Sequence, residues 1–270
     1  MSGKPTENRP LVVYRLSPAR AALVMTLIVV ALAAAYMASH YVKFHLHAGA
    51  VDPLHRFFDF GTEANLPSFV SSLNLLLAGV LTLAVAAGER AQGRRCVRHW
   101  QILGMALILM SVDELAQIHE GVVGTLMVNA FGRGEGVLYY SWYKFYIPVV
   151  IVFGLYFAPF LRQLPKRTAL LFAVAGAGFV ASAIGVEMLE SYLLSAGLRG
   201  RAYTILVEET GEMMSVVLFI YAVMDYMANR RFAVRGEFLP TGAPEPAAPA
   251  APVRAEDDDR RALPRRSGDL

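Results

Sequence analysis

Apolar residues in this chain come in long runs, not in the short periodic stripes of a water-soluble helix or strand. Six runs are long enough to cross a hydrocarbon core, which takes about 20 residues at a helical rise of about 1.5 Å each. They cover 21–41, 67–87, 100–126, 138–161, 168–194 and 202–228. The predicted fold class is all-α: a polytopic transmembrane helix bundle of about six spans. The third run is broken late by charge, and the last two carry acids, so their assignment leans on the pattern of the connections.

That pattern is regular. Lys4, Arg9, Arg15 and Arg20 precede the first run, and Arg90, Arg94, Arg95 and Arg98 separate the second from the third. Arg162, Lys166 and Arg167 separate the fourth from the fifth, and Arg230, Arg231 and Arg235 follow the sixth. Every second connection is basic, which by the positive-inside rule puts both termini in the cytoplasm of a multi-pass cell-membrane protein. Six spans and two cytoplasmic ends agree with each other. The first run is longer than a signal-peptide core and reads as a retained span. The chain thus divides into three regions: a basic cytoplasmic segment at 1–20, the bundle at 21–235, and a tail at 236–270. The tail is rich in proline, alanine and charge, and its composition predicts disorder. The connection at 42–66 carries His45, His47, His55 and Asp59 and is expected to hold a short interfacial helix.

Composition sharpens this reading. Of 270 residues, 56% are hydrophobic and only 17% charged, against roughly 25% charged in soluble domains. The net charge of +3 lies in the groups beside the apolar runs, so it reports topology and not a nucleic-acid partner. The expected surroundings are membrane lipid, a lipid-like or apolar substrate, and further copies of the chain. Cys96 is the single cysteine and has no intramolecular disulfide partner.

Placed on this topology, the polar residues inside the spans sort to one depth. Ser68, Ser71, Ser72 and Asn74 begin span two. Ser111, Asp113, Glu114, His119 and Glu120 end span three. Lys144 and its aromatic neighbours begin span four, Glu187 and Glu190 end span five, and Glu208, Glu209 and Glu212 begin span six. Ionisable residues in spans are costly and usually face the bundle interior or a wet cavity. On ideal helices Asp113, Gln117 and Glu120 share one face and Glu208 and Glu212 another, while Glu114, His119 and Glu209 point elsewhere. Carboxylates brought together need compensating cations. Lys144, the only lysine well inside a span, is the expected protein countercharge, and Arg133, Arg199 and Arg201 are further partners near the ends.

These residues suit a metal-dependent membrane enzyme, hydrolase- or oxidase-like. A divalent metal ion would be held by Asp113, His119, Glu120, Glu187, Glu208 and Glu212. Asp113, Glu120 or Glu212 would serve as acid or base. The di-iron pattern Glu-x-x-His is missing. The alternatives are a proton- or cation-coupled transporter using the same acids, or a structural protein whose salt bridges orient helices. For the transporter, the sequence shows no inverted repeat and no matched pair of broken helices. Gly176 and Gly178 lie within a span and read as a close helix approach, not a nucleotide loop.

The stretch SVDEL at Ser111–Leu115, with Glu208 and Glu212 far downstream, resembles the alkaline ceramidase group. That resemblance implies a membrane hydrolase with seven spans, in which three histidines hold a zinc ion that activates water for amide cleavage. Asp113 would match the aspartate of the group. Glu208 and Glu212 stand where the group has paired histidines, and no histidine follows His119, so that zinc site cannot form here in the same way.

Overall fold

A computed structural model describes residues 16–46, 52–62, 64–94, 96–132, 134–198 and 200–230, with the side chain of Glu120 left out. The chain divides into two units, Met1–Ala233 and Val234–Leu270. The second unit, and with it the tail expected at 236–270, lies outside the described residues, as do residues 1–15.

Among the described residues the chain is helical throughout, with no strand. The order is α1 (Pro18–His45), α2 (Asp52–Phe58), α3 (Leu66–Ala91), α4 (Val97–Ala116), a π-helical segment (Ile118–Gly124), α5 (Thr125–Phe131), a 3-10 turn (Gly136–Leu138) and α6 (Tyr143–Leu161). Then come α7 (Lys166–Val180), a second π-helical segment (Ala181–Val186), α8 (Glu187–Ser195) and α9 (Arg201–Asn229). The short helix α2 stands in the connection where one was expected.

Five helical stretches are long and apolar enough to cross a membrane: α1, α3, α6, the continuous stretch Lys166–Ser195, and α9. The third predicted span is not straight. Val97–Ala116 and Gly121–Phe131 meet at 76°, and only if the bent pair is one span does the number reach six. The apolar stretches turn much of their surface outward. In the most apolar window of α6 only 11% of the residues are buried, and Ile151, Val152 and Leu155 are exposed. Contiguous apolar surface of this extent is costly in water and suits hydrocarbon.

Local chemistry sets the helix ends. Pro18 sits at the first turn of α1, where its missing N–H costs nothing. Asn65 caps α3 by accepting from Ser68 N, while Ser68 Oγ receives the Asn65 N–H. Gly200, with φ of 145°, opens α9 in a conformation that only glycine adopts readily.

Helix α9 runs through the middle, packed on α1, α3, α7 and α8, and α3 pairs closely with α4. The main core gathers Trp100, Phe157, Phe160, Phe172, Val216, Phe219, Ile220 and Tyr226. Trp100 meets Phe160 edge-on at 5.2 Å and tilts against Tyr226 at 5.1 Å. The α3–α4 contact is close because it is made of small residues. Ser72 Oγ donates to the Ser111 carbonyl and Ser111 Oγ to the Ser72 carbonyl, each at 2.8 Å. Further along the same contact, a Cβ on Gly104 would lie 2.8 Å from Leu83 Cγ and 3.0 Å from the Gly79 carbonyl oxygen. The approach expected at Gly176–Gly178 is real at Gly178, where a Cβ would meet Ser215 Oγ at 2.7 Å, whereas Gly176 has nothing within 4 Å.

These glycines give a direct test. Gly104→Val should lower stability by about 1–3 kcal/mol through overpacking, read as a lower thermal midpoint in detergent. Gly176→Ala, on an open face, should leave the midpoint unchanged or raise it. Equal behaviour of the two variants would mean that α3 and α4 are not in backbone contact.

Candidate functional site

The first turns of α9 carry Glu208, Glu209 and Glu212, and helical spacing sets Glu208 and Glu212 one above the other. Around Glu212 lie Glu209, Glu114, Glu208 and Glu187, all within its electrostatic reach. Glu187 and Glu208 were expected beside Glu212, and both contribute to its electrostatics, as do Glu114 and Glu209, which ideal wheels turned elsewhere.

Two helix interruptions border this region. α4 ends at Ala116 because Gln117 takes a left-handed conformation, φ 53°, rare for a residue other than glycine. The chain then continues as the π-helical segment Ile118–Gly124. The face expected to carry Asp113, Gln117 and Glu120 therefore does not exist, since the helix stops before its second member. Asp113 instead closes onto the interruption: Oδ1 accepts from the backbone N–H of His119 at 2.8 Å, and Oδ2 lies 3.1 Å from His119 Nδ1. Asp113 and His119 form a dyad in which the carboxylate orients the ring.

The second π-helical segment, Ala181–Val186, leads directly into Glu187. Glu187 is buried and receives Trp142 Nε1 at 2.6 Å. The His119 ring stands edge-on to Trp142 at 5.2 Å, so Asp113, His119, Trp142 and Glu187 are contiguous. Glu190, 3% exposed, accepts from Arg201 Nε at 3.0 Å, Thr204 Oγ1 at 3.1 Å and Tyr140 OH at 3.3 Å. Burial and the neighbouring carboxylate push the Tyr140 phenol well above its usual range, so it remains a donor at neutral pH. Arg201 is therefore a countercharge, as its position near the end suggested. Lys144 is not: among the described residues its Nζ makes no ion pair and reaches only Ser141 Oγ, at 3.4 Å. It precedes Pro148 on a helix whose aromatic residues, not its lysine, turn toward α8. Arg133, Arg199 and Glu63 lie outside the described residues.

For a metal, the described members of the expected ligand set, Asp113, His119, Glu187, Glu208 and Glu212, do not come together in any group of three suited to hold an ion. The side chain of Glu120 is not described.

Residues 21–226 match the family described as Domain of unknown function (DUF8692). The chain belongs to that family. Its matched region runs from α1 into the last turns of α9, so every candidate residue above lies within the DUF8692 region. No curated protein and no solved structure matches the chain.

Two polar sites in the DUF8692 bundle were not foreseen. At the arginine-rich end Glu89, 3% exposed, accepts from Tyr226 OH at 2.9 Å and pairs with Arg94 at 3.1 Å. It stood next to Arg90 at the edge of an apolar run, where nothing separates an inward acid from an outward one. At the other end, His55 of α2 is buried against α1, with Nδ1 3.2 Å from Ser39 Oγ and Nε2 3.8 Å from Asp59 Oδ2. Tyr36 and His40 of α1 flank its ring.

Burial holds His55 below the usual histidine value, outweighing the pull of Asp59, with Lys43 acting in the same direction as burial. The neutral ring is favoured in the folded state. Docking of α2 is thus fully stable above the unfolded value of about 6.5 and weakens as pH falls below it, by at most about 1.4 kcal/mol per pH unit for one proton. Hydrogen-exchange protection of Asp52–Phe58, corrected for intrinsic rate, should fall below pH 6.5, and His55→Asn should flatten that fall. Protection that rises on acidification would mean that the Asp59 interaction dominates.

Proposed function

We propose that this protein is a proton- or cation-coupled carrier of a cell membrane, with Glu212 as the exchanging carboxylate. The observation that supports this most is the electrostatic reach of acids from α4, α8 and α9 on Glu212, beside the break of α4 at Gln117 and the π-helical segment within Lys166–Ser195. Interrupted helices at the depth of an ion site are the usual way a membrane carrier exposes backbone groups and lets an ion site change access. Three fixed donors on Glu190 and the indole on Glu187 hold those two acids in place, which leaves Glu212 as the acid proposed to exchange. Compensation by protons or cations is then exchanged during transport.

A metal-dependent enzyme is the second reading, favoured by the Asp113–His119 dyad. An imidazole oriented by a carboxylate is the form in which histidine ligates metal or acts as a base. A divalent ion would need Glu120 and movement of the acids toward His119.

One experiment separates the two. Purified protein in liposomes holding a pH-sensitive dye should carry protons down an imposed gradient of pH or of monovalent cation. Glu212→Gln, which keeps size and removes titration, should cut that flux at least about ten-fold. Wild-type flux in Glu212→Gln would remove Glu212 from the mechanism. A near-stoichiometric divalent metal in purified protein, lost in His119→Ala, would replace the carrier by the enzyme.

The arginine-rich connections support an orientation with both termini and the α3–α4 connection cytoplasmic. A Gln92→Cys variant in a Cys96→Ser background should resist an impermeant maleimide added outside intact cells and react once they are opened. Labelling from outside would invert the topology.

A further inference from the structure

Helix α2 joins the end of α1 to the start of α3, so it is held where two spans leave the bilayer. His55 points inward, onto Ser39 of α1. That fixes the rest of the short helix, and Leu54, Arg56 and Phe57 face outward. Between α2 and the first turn of α3 lies a cavity of about 470 Å³, lined by Pro53, Arg56, Phe57, Asn65, Leu66 and Phe69 among others.

The polar groups near this cavity are committed elsewhere, with one exception. Asp52 pairs with Lys43 at 3.3 Å, and Asp59 serves His55 and the Gly61 N–H. Asn65 accepts from Ser68 N and donates its amide to the Asp59 and Thr62 carbonyls. Arg56 has no hydrogen-bond or ion-pair partner among the described residues. The cavity thus offers one uncommitted guanidinium on otherwise apolar walls, and Phe69 continues those walls down the lipid-facing side of α3, 55% exposed.

We infer that this cavity binds a membrane phospholipid, with Arg56 on the phosphate and Leu66 and Phe69 along the start of an acyl chain. Guanidinium and phosphate match in charge and in bidentate geometry. A free phosphate ion would satisfy the arginine and leave the aromatic walls wet, whereas a lipid covers both. Among the described residues no carboxylate lines the cavity, so a headgroup with net negative charge is preferred over a zwitterionic one. The site is separate from the acids around Glu212 and does not depend on the carrier reading.

The test is native mass spectrometry of the full chain released from detergent after adding phosphatidylglycerol, phosphatidylcholine or inorganic phosphate. Phosphatidylglycerol should give the tightest first adduct. Arg56→Gln should weaken that adduct about ten-fold or more, and Arg56→Lys should restore part of it. Phe69→Ser should weaken it while leaving the lipid-free thermal midpoint unchanged. Undiminished phosphatidylglycerol binding in Arg56→Gln overturns the inference. Displacement of the lipid by an equal concentration of inorganic phosphate also overturns it, since the cavity would then be an anion site.

Discussion

The arrangement of the bundle depends on the double demand on α9. This 29-residue helix sits among α1, α3, α7 and α8, yet its first turns carry Glu208, Glu209 and Glu212. Its second half meets the demand of burial in the ordinary way, with Val216, Phe219, Ile220 and Val223 in the main core. On its first half Met213, Ile205 and Leu206 still pack with Val29, Leu32 and Tyr36 of α1, but the acid-bearing face cannot pack in this way, because carboxylates exclude tight apolar packing around them. There the contacts turn to small residues: Gly211 faces Ser182, and Ser215 faces Gly178. Ser215 returns its hydroxyl to the Gly211 carbonyl at 2.7 Å, so it can lie against Gly178 without leaving a buried donor unpaired. Small residues bring α9 close to the stretch that loosens into the π-helical segment Ala181–Val186. A π-helical turn adds a residue to the helix and rotates everything after it. The side chains turned in this way are those of Glu187 and Glu190, at the start of α8.

The two ends of the bundle solve the problem of buried charge differently. At the arginine-rich end Glu89 is closed off by a local ion pair with Arg94 and by the Tyr226 hydroxyl, whose hydrogen bond joins the end of α3 to the end of α9. Arg167 adds a second tie there, to Asp225 at 3.4 Å and to Tyr221 OH at 2.6 Å. Such pairs fix helix register more than they add stability, since desolvation offsets much of the attraction. At the acid-bearing end, Glu190 is held by Arg201, Thr204 and Tyr140, and Glu187 by the Trp142 indole. Glu114, Glu187, Glu208, Glu209 and Glu212 stand near one another in a surrounding that keeps like charges in mutual reach.

The long apolar runs made the spans legible, because burial in lipid demands a length that few other structures require. What escaped was local geometry. The sequence through Leu115, Ala116, Gln117 and Ile118 has neither proline nor glycine, so an ideal helix extrapolates through it without objection. The left-handed turn at Gln117 is imposed by Asp113 capturing the His119 backbone, a contact across six residues that no periodicity reports. Once the helix stops there, the face of Asp113, Gln117 and Glu120 disappears. Among the described residues Lys144 meets no carboxylate, because charge type alone does not say where a side chain points. Glu89 was passed over because one acid at the rim of an apolar run looks the same whether it turns in or out. α2 was foreseen from polarity and length, but the docking of His55 on Ser39 depends on the tilt of α1.

The aromatic residues at the start of α6 then have a clearer role than an interface belt. Trp142 donates to Glu187, Tyr140 to Glu190, and Tyr143 lies 3.2 Å from Ser191 Oγ. All three reach α8, the short helix released by the second π-helical segment. At its far end α6 is held differently, by Phe157 and Phe160 against Trp100 and His99. Between these anchorages, near Pro148, an apolar cleft of about 490 Å³ opens beside α4, lined by Ile102, Val149, Val152, Phe153 and Tyr156. Proline at 148 removes one helical hydrogen bond and lowers the cost of bending there. A helix tied to the carboxylates of α8 at one end and to the aromatic core at the other, with a proline between, transmits any shift of Glu187 into its own first turns while its last turns stay fixed. The Trp142–Glu187 bond is therefore the link through which the start of α8 and the start of α6 constrain each other.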